Sequence, residues 1–298
     1  MKINNVEVED TYCEAFEGIF VRMLITAERE RYLRRAASGS SCLPSTVVGR
    51  TEGGVEAWVS SEKTPDSRAG SIVQIWGNGA GKDALRKFGY ELSIRIRQGI
   101  LVVPTTKIFN LFESDIKIDT MPRVGHCGDG YETVEERFGR EMINVPLMMG
   151  NWFIEHYLGV GKGVAGGNLW FFCTDEKAAL EAGEAAVEAI EDVEGVITPF
   201  DVCSAGSKVE TKFPEIGPTT NHPYCPTLKA KIKDSKVPKG VVSIPEVIIN
   251  GTTLDAVKKA MLKGAEAASR VDGVVKISSG NFGGKLGKHK IFLRNVLG

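Results

Sequence analysis

The feature that most constrains the fold of this chain is a repeat. Val193-Glu-Gly-Val-Ile197 superposes on Val271-Asp-Gly-Val-Val275 at a separation of 78 residues, and the alanine-rich stretches before them superpose at the same separation. In the first copy Leu169–Cys173 reads as an apolar strand. Thr174, Asp175 and Glu176 read as an N-cap and acidic first turn, and Ala182, Ala185, Ala186, Ala189 and Ile190 as one helical face. Gly195 ends that helix and Val196–Thr198 returns as a strand. In the second copy Val247–Ile249 is the strand, Thr252 or Thr253 the cap, and Ala256, Val257, Ala260, Met261 and Gly264 lie on the helical face before Val274–Ile277. Two βαβ units in tandem predict βαββαβ, the ferredoxin-like split arrangement.

The N-terminal half follows the same grammar: strand Phe20–Thr26, helix Ala27–Ser38, strand Thr46–Val48, strand Ile72–Trp76, helix Asp83–Arg97 and strand Ile100–Val103. The chain is therefore expected to be α+β, with two ferredoxin-like lobes, residues 1–147 and 148–298. The segment Phe109–Ile143, with its glycine-rich Gly125–Tyr131, is expected to be an insertion or connector. A length of 298 residues suits two such lobes.

Charge excludes some partners. The 37 basic and 38 acidic residues nearly cancel, so no global field favours nucleic acid or an anionic membrane. No apolar run approaches the ~20 residues of a membrane span, and the first ten residues lack the apolar core of a secretory signal, so a cytoplasmic protein is expected. The six cysteines are scattered, with no CxxC pair, and are expected to be reduced thiols.

Several motifs fail on spacing. Gly77-Asn-Gly-Ala-Gly-Lys82 is one residue short of a P-loop, and Asp83 stands where a Ser or Thr would meet magnesium. His126-Cys127 and His222-x-x-Cys225 lack matching pairs, so no metal is assigned. Two features remain. The tract Val274–Leu293 sets Gly280, Gly283, Gly284 and Gly287 beside Asn281, Lys285, Lys288 and Lys290, which suits either an anionic ligand or a bulged hairpin with a solvated basic face. Glu246 is the only ionisable residue in Val241–Ile249; burial there would raise its pKa toward that of a proton-transfer group, whereas an edge strand would turn it to water. At the 78-residue separation Glu246 superposes on Asn168, so two polar residues begin equivalent strands.

At these residues the chain resembles a known family. Gly163-Val-Ala-Gly-Gly-Asn168, Thr220-Asn-His-Pro-Tyr-Cys-Pro-Thr227, Glu246-Val-Ile-Ile-Asn-Gly251 and Val274–Gly287 resemble formylmethanofuran:tetrahydromethanopterin formyltransferases, as do Met1–Thr11, Glu14-Ala-Phe-Glu17 and Leu24-Ile-Thr-Ala27. The chain departs from the family pattern at His222-Pro223 and in its near-neutral charge.

The resemblance implies reversible transfer of a formyl group between methanofuran and tetrahydromethanopterin, which act as one-carbon carrier substrates, with no tightly bound cofactor and no metal. It also implies a homotetramer, a dimer of dimers, and a cytoplasmic setting. Glu246 matches the family's acid–base glutamate. Asn168, Asn250, Gly280, Asn281, Gly283, Gly284 and Lys285 become candidate substrate or oxyanion contacts, and Lys285 and Lys288 candidates for electrostatic capture. The alternative is a noncatalytic ferredoxin-like ligand-binding or regulatory subunit of a formyl-transferring complex.

Overall fold

The computed structural model describes residues 1–42 and 50–298 as an α+β fold. Its contacts divide the chain into two compact units, Gly18–Lys162 and a second one made of Met1–Glu17 together with Gly163–Gly298. The first seventeen residues thus pack with the C-terminal half. A cut at residue 147 differs from this division on both sides, because contacts group residues by their strand partners and not by their order.

In the unit Gly18–Lys162 the sheet order is Thr51–Val59, Gly70–Asn78, residues 18–26 of strand Tyr12–Thr26, and Lys107–Asn110, all antiparallel neighbours. Helices Glu30–Ser41 and Gly81–Arg95 cover it with Leu33, Ala36, Ala37, Phe88 and Leu92, which join Val21, Ile25, Val73 and Ile75 in one core.

Several expected boundaries move. The first helix begins three residues later than the periodicity suggests, since Thr26 still pairs with Gly70 and the Ala27 amide donates to the Ala69 carbonyl. Ile100–Val103 is not a strand. Leu92, Ile96 and Ile100 recur every fourth residue and are all buried, so the chain stays helical through the wide turn Ile96–Leu101, and Lys107–Asn110 takes the fourth sheet position. The expected strand Thr46–Val48 lies outside the described residues. The connector Phe109–Ile143 adds structure of its own: Thr133–Arg137 pairs with Arg140–Leu147, which pairs with Gly150–Glu155, itself parallel to Lys107–Asn110.

In the other unit the order is Val6–Val8, Val274–Ser278, residues 163–173 of strand Gly161–Cys173, Glu246–Gly251 and Val196–Ile197. Only Val6–Val8 runs parallel to its neighbour. The repeat is visible in the register. Leu169 pairs with Val247, its own equivalent 78 residues on, and Asn168 and Trp170 pair with Ile248 and Glu246 on either side. A local twofold therefore passes between Leu169 and Val247, and it sets Trp170 directly opposite Glu246.

Helices Glu176–Glu191 and Leu254–Ala268 pack on one face of this sheet, sharing a core with Leu169, Phe171, Val247, Ile249 and Ile277. They approach closely at Gly264, where a Cβ would stand 2.9 Å from Ile190. Their caps are Asp175, one residue beyond Thr174, and Thr253: the side chains accept from the Ala178 and Ala256 amides at 2.8 and 3.0 Å. No helix among the described residues is long and apolar enough to cross a membrane.

Asp175→Ala and Thr253→Ala are each expected to lower stability by about 1 kcal/mol, the usual loss of a side-chain cap. Urea unfolding followed by circular dichroism measures this, and unchanged midpoints would show that the caps contribute nothing.

Candidate active site

Glu246 is buried, 9 % exposed, at the first position of its strand. Its backbone exchanges two hydrogen bonds with Cys203, its amide donating to the Cys203 carbonyl at 3.0 Å and its carbonyl accepting from the Cys203 amide at 2.7 Å. The opposite residue, Trp170, donates its indole N–H to Glu246 Oε1 at 2.9 Å. Burial pushes the carboxyl above its ordinary value, and the Trp170 and Cys203 side chains, which favour the charged form, offset only part of that.

Glu246 and Trp170 line a cavity of about 510 Å³. Its walls also carry Tyr224, whose ring meets Trp170 edge-on at 4.8 Å, with Val202, Leu180 and Ile244. None of the described residues on the wall is a lysine or arginine. A carboxyl in such surroundings keeps its proton to higher pH than a solvated one.

The glycine-rich tract behaves differently from either reading of it. It is no hairpin, because Val274–Ser278 and His289–Phe292 pair with different strands. Its amides converge on an anion, and the anion belongs to the chain. The Glu14 carboxylate accepts from the amides of Phe282 (2.5 Å), Gly284 (2.6 Å), Leu286 (2.9 Å) and Gly287 (2.9 Å). Burial alone would raise the Glu14 pKa, but these N–H groups outweigh it and hold the carboxyl below its ordinary value.

Asn168 and Asn281 hold this loop in place, while Asn250 acts elsewhere. Asn168 Oδ1 accepts from the Gly280 amide at 2.7 Å and the Ser279 hydroxyl at 2.9 Å, while its Nδ2 donates back to the Gly280 carbonyl at 3.2 Å. Asn250, fully buried, accepts from the Gly166 amide at 2.9 Å where strand Gly161–Cys173 bulges. Asn281 accepts from the Gly283 amide and donates to the Tyr12 carbonyl and the Thr11 hydroxyl. Lys285 is exposed, Lys288 pairs with Glu17, and Lys290 lies over the Tyr12 ring.

Of the selected set only Glu246 is on the cavity wall. Gly280 reaches it indirectly, since a Cβ there would stand 2.5 Å from the Trp170 ring. Trp170, Tyr224 and Cys203 were not singled out for Glu246 by the sequence. The signal for Trp170 was the repeat, which fixes the residue opposite Glu246 once the twofold is placed. Among the described residues no group of three or more His, Cys, Asp or Glu is arranged to hold a metal.

A buried carboxyl with a raised pKa on the wall of a cavity is the arrangement that proton transfer requires. The comparisons with known proteins give the family. A model described as formylmethanofuran-tetrahydromethanopterin formyltransferase matches residues 1–147, and one described as FTR, proximal lobe, matches residues 150–296. A formylmethanofuran–tetrahydromethanopterin formyltransferase-like protein of Archaeoglobus fulgidus is 56 % identical over 100 % of this chain and 98 % of its own length. A formyltransferase of the same organism, named without that qualifier, is 39 % identical over 99 % of this chain and 100 % of its own. The solved formyltransferase of Methanosarcina barkeri superposes with a TM-score of 0.92 at 38 % identity, covering 99 % of this chain and 100 % of that one. The chain belongs to the formylmethanofuran–tetrahydromethanopterin formyltransferase family.

Glu14→Gln is expected to cost about 3 kcal/mol, because amide donors that met a carboxylate would meet a single neutral oxygen. The Glu14 carboxyl is held below its ordinary value in the folded chain, so its stabilisation is complete above the unfolded-chain value of ~4.3 and lost as pH falls through the lower folded value. Urea midpoints of the two chains should therefore differ at pH 7 and converge on acidification; a constant gap would show that the carboxylate charge is not what holds the loop.

Proposed function

We propose that this chain transfers a formyl group reversibly between formylmethanofuran and tetrahydromethanopterin, with Glu246 as acid and base. The observation that carries the reading is Glu246 itself: a carboxyl with a raised pKa, hydrogen-bonded to Trp170 on the wall of a cavity, in a chain aligned with the family along its length.

In the proposed reaction the pterin nitrogen attacks the formyl carbon and gives a tetrahedral adduct. The bond to the methanofuran nitrogen then breaks. Glu246 takes the proton released by the attacking nitrogen and returns one to the departing amine, so no covalent enzyme intermediate is needed. The two carriers serve as substrates, and no tightly bound cofactor enters this scheme. Asn168, Gly280, Asn281, Gly283 and Gly284 contribute by fixing the loop and the Trp170 face, Asn250 by holding the strand bulge at Gly166, and Lys285 by offering charge to an anionic substrate.

The finer architecture belongs to the same reading. Both units share one strand order, with the second, third, first and fourth strands side by side, which supports ferredoxin-like lobes. The family models meet between residues 147 and 150, which supports 1–147 and 148–298 as the two halves of the sequence, while Met1–Glu17 packs with the second half and residues 148–162 with the first. A cytoplasmic homotetramer completes the proposal.

One observation favours a second reading, that of a noncatalytic ligand-binding or regulatory subunit. Archaeoglobus fulgidus has both a 56 % identical relative named only formyltransferase-like and a 39 % identical formyltransferase. Incubating the purified chain with formylmethanofuran and tetrahydromethanopterin separates the two, since formylated pterin formed without other proteins sustains the enzyme.

In that assay Glu246→Gln is expected to lower kcat about 100-fold or more, with KM and sedimentation unchanged; near-normal turnover would remove Glu246 from the mechanism. Trp170→Phe keeps an aromatic ring against Tyr224 but deletes the N–H that favours the Glu246 carboxylate. The limb of the pH–rate profile due to Glu246 should move to higher pH, and an unmoved limb would show that Trp170 does not tune it.

A further inference from the structure

Helix Gly81–Arg95 carries a glycine in its interior, Gly89. Glycine is the poorest helix former after proline, so an interior glycine usually answers a crowded contact, as Gly264 does beneath Ile190. Gly89 answers none. A Cβ built there would meet only the Ile118 side chain, at 3.9 Å, an ordinary contact.

What stands over Gly89 is a chamber of about 290 Å³ within the unit Gly18–Lys162, close to the lower end of the ~300–1,000 Å³ usual for small-molecule sites. Leu85, Leu92, Ile96, Ile118 and Val124 make it apolar. Four cations also line it: Lys82, Arg86, Lys117 and Arg123. The carboxylate on the same lining, Asp119, already faces His156 Nε2 at 3.3 Å. Neither Arg86 nor Lys117 is tightly engaged, their nearest carboxylates being the exposed Asp83 and Glu113 at 3.7 and 3.8 Å. Arg123 rests over the Tyr90 ring. Arg86 and Arg123 also border a second, more polar recess of about 970 Å³, so their guanidinium groups belong to both spaces. The chamber shares no lining residue with the cavity at Glu246.

An apolar hollow with excess positive charge at its lining complements a molecule with the converse design. We propose that this chamber binds a small amphipathic anion, a carboxylate borne on a short alkyl chain or a single ring, with the apolar body over Gly89 and the charge at Arg86 and Arg123. The glycine then has a purpose, since any larger side chain on that turn of the helix would occupy the ligand's place.

Isothermal titration of the full chain with octanoate, octanol and acetate tests this. Octanoate is expected to bind saturably with one site per chain, and octanol and acetate at least tenfold more weakly, each having half of the required chemistry. Gly89→Leu should abolish octanoate binding while raising Tm, because it fills the hollow and removes a poor helix former. Arg86→Gln with Arg123→Gln should weaken octanoate at least tenfold and leave octanol unchanged, which keeps the test intact if the leucine is not tolerated. Absence of saturable octanoate binding would overturn the proposal, as would equal binding of octanol or indifference to both sets of substitutions. If the natural chain binds no octanoate and Gly89→Leu instead changes the sedimentation coefficient, the hollow is covered by a second copy of the chain and the ligand site is refuted.

Discussion

The Glu14 carboxylate and the four amides that surround it hold together the part of the molecule on which the candidate chemistry rests. Buried backbone donors must find acceptors, and a loop as rich in glycine as Gly280–Gly287 has little side-chain packing with which to order itself. One charged acceptor satisfies half of its amides. The ordered loop lets Gly280 and Ser279 lock onto Asn168, Gly280 leaves room for the face of the Trp170 ring, and Trp170 holds Glu246 by its indole N–H. Each contact in that sequence fixes a degree of freedom of the next.

Two glutamates in the same unit are driven in opposite directions by their surroundings. Both are buried, and burial raises the pKa of both. For Glu14 four N–H groups reverse the effect, and the residue is a fixed negative charge with a structural task. Glu246 has one indole N–H and the Cys203 side chain, which are too little to reverse it, and it keeps access to its neutral form. Four backbone donors hold Glu14 as a charge, whereas Glu246, more heavily desolvated and with fewer donors, is the one whose pKa is raised.

The repeat was the legible part of the sequence, and it carried far. The 78-residue separation placed two helices, four strands and the equivalence of Asn168 with Glu246, because helix period, caps and terminal glycines are local signals. Local signals also misled. Ile100–Val103 has strand composition, yet the i, i+4 burial of Leu92, Ile96 and Ile100 keeps that segment helical. The glycine tract suits an anionic ligand or a basic hairpin by its local composition, and the carboxylate that its amides meet lies 268 to 273 positions away, beyond any local signal. Nor does any local pattern show that Met1–Glu17 joins the C-terminal half, since strand pairing across such distances leaves no periodicity to read. For the site, the glutamate was found by its isolation among apolar residues, whereas Trp170 was hidden among other core aromatics until register set it opposite.

The interleaving of the two units also orders events during synthesis. Among the described residues, the strands of Gly18–Lys162 pair with one another, so nothing downstream is required before that unit folds as domains generally do, in order of synthesis. The segment ahead of it differs. Val8 waits for Ile277, and Glu14 for amides about 270 residues downstream, an interval on the order of 15–50 s at ordinary elongation rates. Through that interval Val6–Val8 has only Lys2–Ile3 beside it and Tyr12–Ala15 lacks His289–Phe292, and open strand edges of this kind invite pairing with other chains until the C-terminal strands arrive.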